Sequence, residues 1–320
     1  MNALFNKLIL LCATLAFVAS TVTVAGARDL DTINVSYVKS PFNLQIMVMK
    51  STGMLEKTFA KDNIKINWVE INSGAKQSQA LAAGSLDIAS VINTTSVLLA
   101  NAGGNPVKII GGVSHPCETF AIVVRSDGPQ TVAELKGKTV AGPKGTVLHQ
   151  MLAVALAKEG LKESDVKFVH MGLPKARTAL LAGQVDAALL AASLVIKSEE
   201  AGARVLTTAK GLVQPILVSA ASQDFIVKHP DLVARYLKTF RQAMKFIDAD
   251  PEKAIAIGAK EHGISIQDAH TLYNWAGFTT HLSAADIVSM REDMVFLQDN
   301  NMIKTAVDPA SVCMPAAFME

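Results

Sequence analysis

A ten-residue phrase occurs twice in this chain. Ala80-Leu81-Ala82-Ala83-Gly84-Ser85-Leu86-Asp87-Ile88-Ala89 aligns with Ala179-Leu180-Leu181-Ala182-Gly183-Gln184-Val185-Asp186-Ala187-Ala188 at an offset of 99 residues (179 − 80), and Ala102-Gly103 and Ala201-Gly202 keep that offset. Each copy reads as a helix closed by glycine and followed at once by a strand. Glycine suits the closing position because, lacking a Cβ, it accepts the left-handed conformation of a helix C-cap. Duplication and convergence on common α/β grammar account for the match equally, and both lead to two similar lobes. A length of 320 residues agrees with two domains of roughly 150 residues each. Half the residues are apolar and 18% are charged, which is enough to bury a large core and far from a disordered composition.

The rest of the chain repeats the strand-then-helix order. Ile33-Asn34-Val35-Ser36-Tyr37-Val38 alternates apolar and polar residues, the period of a strand, and Pro41 stops the pattern before a helix that begins near Leu44 and ends around Gly53. Ile64 to Val69 alternates again. Strands separated by helices predict parallel pairing. Lys138 to Ala141 reads as a further strand, Gly142 to Thr146 as a tight loop and Val147 to Lys158 as a helix with Thr146 at its N-cap. The apolar stretches 109–124 and 205–220, each containing a proline (Pro116, Pro215), are hinge candidates. From Ser222 onward the pattern is helical over 232–248, 251–262, 266–275 and 284–300, a tail expected to pack on the first lobe.

At the N-terminus, Lys7, an apolar stretch from Leu8 to Val18 and the small triplet Ala25-Gly26-Ala27 read as a cleaved secretory signal over residues 1–27. The stretch is shorter than the ~20 residues that span a bilayer. Cys12 lies within that apolar core, so the mature chain holds Cys117 and Cys313. In an exported protein these either pair or remain buried thiols, and sequence separation alone does not choose.

Several chemistries find no support. Lys and Arg total 30 against 28 acidic residues with no basic run, which gives no footprint for nucleic acid. Gly137-Lys138-Thr139 resembles the end of a phosphate loop, but Val132 stands where that motif needs glycine. No HExxH pair, CxxC unit or G-x-S-x-G elbow occurs. The expectation is no catalytic residue, no metal and no cofactor.

The order of phrases resembles the periplasmic solute-binding proteins of ABC importers that take sulfonates, taurine and nitrate, relatives of the thiamine-precursor-binding proteins. The similarity runs through Lys50-Ser51-Thr52-Gly53-Met54-Leu55-Glu56-Lys57, Ser73-Gly74-Ala75, Ala83-Gly84-Ser85-Leu86-Asp87, Asn93-Thr94-Thr95-Ser96, Val132 to Val140, Gly145-Thr146 and Gly183-Gln184-Val185-Asp186-Ala187. It implies an α/β fold of the two-lobed periplasmic-binding-protein type (type II), with parallel-sheet lobes, helices on both faces and a ligand cleft between them. The expected lobes are residues 28–115 with 218–320, and residues 116–217. It further implies a monomeric periplasmic receptor that hands a small polar or anionic organic molecule, of the sulfonate class, to an ABC permease. Two other roles use the same architecture: an enzyme of the pyrimidine-synthase or small-acid-dehydratase kind, and a receptor that presents its ligand to a membrane sensor.

Ligands of open parallel sheets sit beyond the carboxyl ends of the strands. This placement puts Ser40, Phe42, Asn43, Ser73, Gly74, Asn93, Thr94 and Thr95 on the first-lobe side of the cleft, with Gly145, Thr146, His149 and Ser193 on the second. The helix start after Thr146 offers free N–H groups to an anionic oxygen. Thr94 and Thr95 serve as hydroxyl donors or as caps, Glu118 as an amine partner or as a solvated hinge residue, and His149 as a ligand contact or as a structural histidine. Leu190-Ala191-Ala192-Ser193 stands where many members of that family carry a tryptophan, so the cleft lacks one aromatic wall.

Overall fold

The computed structural model describes residues 30–38 and 40–319; the expected signal segment lies outside them. Strands β1 (Thr32–Tyr37), β2 (Lys65–Glu70), β3 (Ile88–Asn93), β4 (Val107–Ser114) and β10 (Leu217–Ser222) form a sheet in the order β2-β1-β3-β10-β4. Strands β5 (Phe120–Arg125), β6 (Thr139–Gly142), β7 (Lys167–His170), β8 (Ala187–Ala191) and β9 (Ala203–Thr208) form a second in the order β7-β6-β8-β5-β9. The two orders are equivalent, with β5 in the second sheet at the place β10 holds in the first.

The sheets are mixed rather than wholly parallel. β1 pairs parallel with β2 and β3, and β6 with β7 and β8, as helical crossovers require. β10 runs antiparallel to β3 and β4, and β5 antiparallel to β8 and β9. Both exceptions follow from how the chain arrives. β5 is entered from the first sheet through residues 115–119, which hold only one 3-10 turn (Cys117–Thr119), and β10 from the second through 209–216, with no crossover α-helix to carry the chain back and restore direction. The broad hinge candidates thus resolve into strand ends and two short connectors. These lie side by side, Cys117 Sγ meeting Gln214 Oε1 at 3.5 Å.

The repeated phrase has a structural job in each sheet. Gly84 (φ 66°) and Gly183 (φ 71°) adopt the left-handed conformation. The aspartate three residues later then stitches the following strand to its neighbour. Asp87 Oδ2 accepts the Asn34 N–H at 2.7 Å while its own N–H reaches the Asn34 carbonyl at 2.9 Å. Asp186 Oδ2 accepts the Thr139 N–H at 2.8 Å, and its N–H reaches the Thr139 carbonyl at 2.9 Å.

Helices α1 (Leu44–Thr52), α2 (Met54–Phe59), α3 (Gly74–Ala82) and α4 (Thr94–Ala102) belong to the first sheet, and α5 (Val147–Lys158), α6 (Leu173–Leu181) and α7 (Ser193–Glu200) to the second. The tail holds α8 (Gln223–Lys228), α9 (Pro230–Ala249), α10 (Pro251–His262), α11 (Ile266–Ala276) and α12 (Ala284–Asp299). α9 buries Leu232, Val233, Tyr236, Leu237, Phe240, Ala243 and Ile247, the i, i+3, i+4 stripe of an amphipathic helix, and packs on α1 and α2. α12 starts in a capping box in which Ser283 and Asp286 satisfy each other's backbone N–H. Its buried Ile287, Met290, Met294 and Leu297 join the core beneath α4. Each such side chain withdrawn from water contributes about 1.5–3 kcal/mol, so the tail is integral to the first layer. In the second sheet, Phe120, Ile122 and Val124 of β5 face one core and Ala121 and Val123 the other, as the two-residue period of a strand sheathed on both faces requires.

Candidate functional site

The carboxyl ends of β1, β2 and β3 open into the loops that start α1, α3 and α4, and those of β6 and β8 into the starts of α5 and α7. On the first sheet, side chains serve the starts of α3 and α4, whereas the first turn of α1 has no side-chain cap. Ser73 Oγ accepts the Lys76 N–H at 3.5 Å, and Asn93 Oδ1 accepts the Ser96 N–H at 2.7 Å. Gly74 lets the two starts touch, since a Cβ there would overlap Ser96 Oγ and lie 2.8 Å from Ser96 Cβ. Thr94 and Thr95 are buried, and their hydroxyls donate to Asp293 Oδ2 at 3.0 and 3.4 Å. Ser40 Oγ is buried without a hydrogen-bond partner among the described residues.

On the second sheet the helix starts are left open. Thr146 occupies the N-cap position of α5, but its hydroxyl donates to the Pro143 carbonyl at 3.0 Å and no side chain caps the first turn. Gly145 needs its φ of 70°, and its N–H donates to His149 Nδ1 at 3.3 Å. The start of α7 is also uncapped, and its N-cap, Ala192, has φ 53° and ψ −131°, a conformation a residue with a Cβ rarely adopts and holds only under strain. Leu190, Ala191 and Ala192 are buried, so beyond the end of β8 the first side chain that is not buried is Ser193, the first residue of α7. Its Oγ meets His262 Nε2 of α10 at 3.1 Å.

Other expected site residues face inward. His149 is fully buried; its Nδ1 accepts from Gly145, so the proton sits on Nε2, which donates to Glu163 Oε1 at 2.8 Å. Its ring lies 4.7 Å from that of Phe168 and 5.7 Å from that of Phe296. Phe42 is buried, its ring edge-on to His262 at 6.0 Å. Asn43 is buried as well and donates to the Val38 carbonyl at 3.0 Å. Glu118 sits between the connectors, paired with Lys210 at 2.7 Å and accepting from Thr208 at 3.4 Å.

Three residues with no sequence-based expectation stand where the two layers meet: Asp293 on α12, Gln150 on α5 and His262 on α10. A signal for Asp293 was present, because it interrupts the apolar stripe Ile287, Met290, Met294, Leu297 at a position that must be buried. Desolvation pushes its carboxyl up to about 6 despite hydrogen bonds from Gln150, Thr94 and Thr95. No group of three or more His, Cys, Asp or Glu among the described residues is placed to hold a metal ion. No described helix is long and apolar enough to cross a membrane.

Two equivalent five-stranded sheets, exchanged strands at two adjacent connectors and helix starts converging from both sides define a two-lobed solute-binding protein. The chain belongs to the NMT1/THI5-like family, whose profile matches residues 56–254. It is 31% identical over 252 residues to a protein of Escherichia coli (strain K12) named for binding aliphatic sulfonates, covering 77% of this chain and 76% of that one. It is 27% identical over 315 residues, 93% of this chain and 86% of the other, to a protein of Brachyspira hyodysenteriae named as an ABC transporter periplasmic binding protein. Among solved structures it superposes with the alkanesulfonate-binding protein SsuA of Xanthomonas axonopodis pv. citri bound to MOPS, at a TM-score of 0.80 and 26% identity, over 89% of this chain and 98% of that one.

Proposed function

We propose that this protein captures a small organic anion of the sulfonate class between lobes formed by residues 28–115 with 218–320 and residues 116–217, and delivers it to an ABC permease. The observation that carries the reading is the contrast between the helix starts. α3 and α4 are capped by their own Ser73 and Asn93, whereas α5 and α7 present uncapped first turns. Unpaired N–H groups at the positive end of a helix dipole favour an anionic oxygen, so the second lobe holds the charged head group. Ser40, whose hydroxyl has no partner among the described residues, adds a donor from the first lobe, and Ser73, Asn93, Thr146 and Ser193 line the remaining approach. Closure follows because a ligand contacting both lobes binds the closed form preferentially.

The N-terminal segment 1–27 acts as the export signal, the mature receptor is a periplasmic monomer, and the reading assigns it no chemistry on the ligand. The test is titration of the purified protein with straight-chain alkanesulfonates and with taurine while small-angle scattering follows compaction. Binding accompanied by compaction supports the reading; binding without compaction removes the closing mechanism.

A further inference from the structure

Asp293 is not among the residues proposed to hold the ligand, yet its surroundings are unusual for a carboxylate. It projects from α12 into the seam between the layers and is only 5% exposed. Thr94 and Thr95 donate to its Oδ2 from the start of α4 at 3.0 and 3.4 Å, and the Gln150 side chain of α5, which belongs to the other sheet, lies close enough to act on its carboxyl. No cationic side chain pairs with it among the contacts described. Gln150 is itself 4% exposed, and its Oε1 is buried without a partner. The seam therefore combines an uncompensated acid with an unfilled acceptor beside it. One proton on Asp293 relieves both, since a carboxylic acid carries an O–H donor that an ionised carboxylate lacks.

We propose that Asp293 is a proton-linked latch: closing the lobes buries its carboxyl against Gln150 and takes up one proton, so that closure tightens as the pH falls. The inference rests on the two-lobed receptor reading, because it needs Gln150 to withdraw when the lobes part. In the open form Asp293 regains water and titrates as an ordinary aspartate; in the closed form it is held neutral. The charges that bear on it are few. Glu292, on the same helix, adds repulsion and so favours the neutral acid. α4 contributes only the hydroxyls of Thr94 and Thr95. On α5 the nearest titratable group, His149, is tied to Glu163 with its ring against Phe296. With the carboxyl moving from 3.8 to about 6 on closure, linkage makes the closed-to-open ratio about tenfold larger at pH 5 than at pH 7.5.

The experiment uses ligand-free full-length mature protein. Small-angle scattering across pH 5 to 8 reads the compact fraction in wild type and in Asp293→Asn, whose amide fills the Gln150 acceptor at every pH. The expected result is compaction of wild type as the pH falls and a pH-independent, more compact variant. In parallel, wild type labelled with 13C at aspartate carboxyls should show one resonance titrating near 6 that vanishes in the variant; this arm needs no variant that folds differently. A wild-type envelope that does not change with pH, or one that changes equally in Asp293→Asn, overturns the latch. If no alkanesulfonate binds at any pH, the ligand class of the receptor reading falls, while the scattering and resonance data still decide the latch.

Discussion

Gly74 and Ser96 bring the starts of α3 and α4 into direct contact: no side chain fits on Gly74 without displacing the Ser96 hydroxyl and Cβ. The two capped turns on the first-lobe side of the cleft are therefore locked together by the absence of one methyl group.

Gly74→Ala should destabilise the protein by about 1–3 kcal/mol, the usual cost of overpacking a tight contact, and weaken ligand binding because both turns shift. Ser96→Gly removes both clashing atoms, so the double variant should recover most of the binding loss. Urea unfolding and ligand titration of the single and double variants check this; an unaltered single variant contradicts the packing argument.

The pair His115–Asp286 makes a second prediction. Burial alone would raise the Asp286 carboxyl, but the His115 contact at 2.7 Å and the Ser283 hydrogen bonds of the capping box bring it below the ordinary value. A depressed acid stabilises the fold above its unfolded value near 3.8, and that contribution is lost as the pH falls through the lower folded value. Asp286→Asn should cost ~1 kcal/mol at pH 7 through the weakened cap and should flatten the acid limb of the stability curve below pH 4. Thermal melts at pH 3 to 7 read both effects.

Asp293 works in the opposite direction. Its carboxyl is raised to about 6, so its contribution to stability is fully present below the unfolded value near 3.8 and is lost as the pH rises through 6. Asp293→Asn keeps an acceptor for Thr94 and Thr95 without a buried charge, so it should raise stability at pH 7.5 by about 1–3 kcal/mol and leave stability at pH 4 nearly unchanged. A variant less stable than wild type at pH 7.5 would show that the ionised form is the one the fold favours.

Cys117 and Cys313 are free thiols. Cys117 belongs to the first connector, and Cys313 lies beside Ile109 of β4. In protein produced without residues 1–27, two thiols per chain should react with a disulfide reagent after denaturation without reductant, and reductant should leave Tm unchanged. A melting temperature that drops on reduction contradicts this.

Much of the architecture could be read from the residues because it depends on local signals. The duplicated Gly-x-x-Asp phrase announces a glycine-closed helix and a strand in each sheet, and the structure shows why aspartate belongs there: Asp87 and Asp186 each pin a neighbouring strand. The amphipathic stripes of α9 and α12 and the strand–loop–helix order of the first lobe are equally local. The reversal of β5 and β10 was not legible, because it depends on which sheet the chain enters after a connector. The site was half legible. Ser73 and Asn93 are helix caps at strand ends, which sequence spacing can identify. Whether His149, Phe42 and Asn43 face ligand or core depends on Phe168, Phe296, His262 and Val38, all brought in by tertiary packing. Asp293 and Gln150 lie 143 residues apart (293 − 150), and only the approach of α5 to α12, seen in the His149–Phe296 ring contact, brings them near each other.

The central claim is that an organic anion is held between the lobes by the open helix starts of α5 and α7. Isothermal titration of the mature protein with a series of straight-chain alkanesulfonates, followed by the same series on Gly145→Pro, tests it most directly. Proline cannot adopt the φ of 70° at position 145 and removes the N–H that orients His149. The account predicts one site per chain with Kd in the micromolar range or below, about −8 kcal/mol or more, and a loss of at least about 100-fold in a variant that keeps its helical spectrum. Full affinity in that variant, or no binding of any anion by wild type, would contradict it.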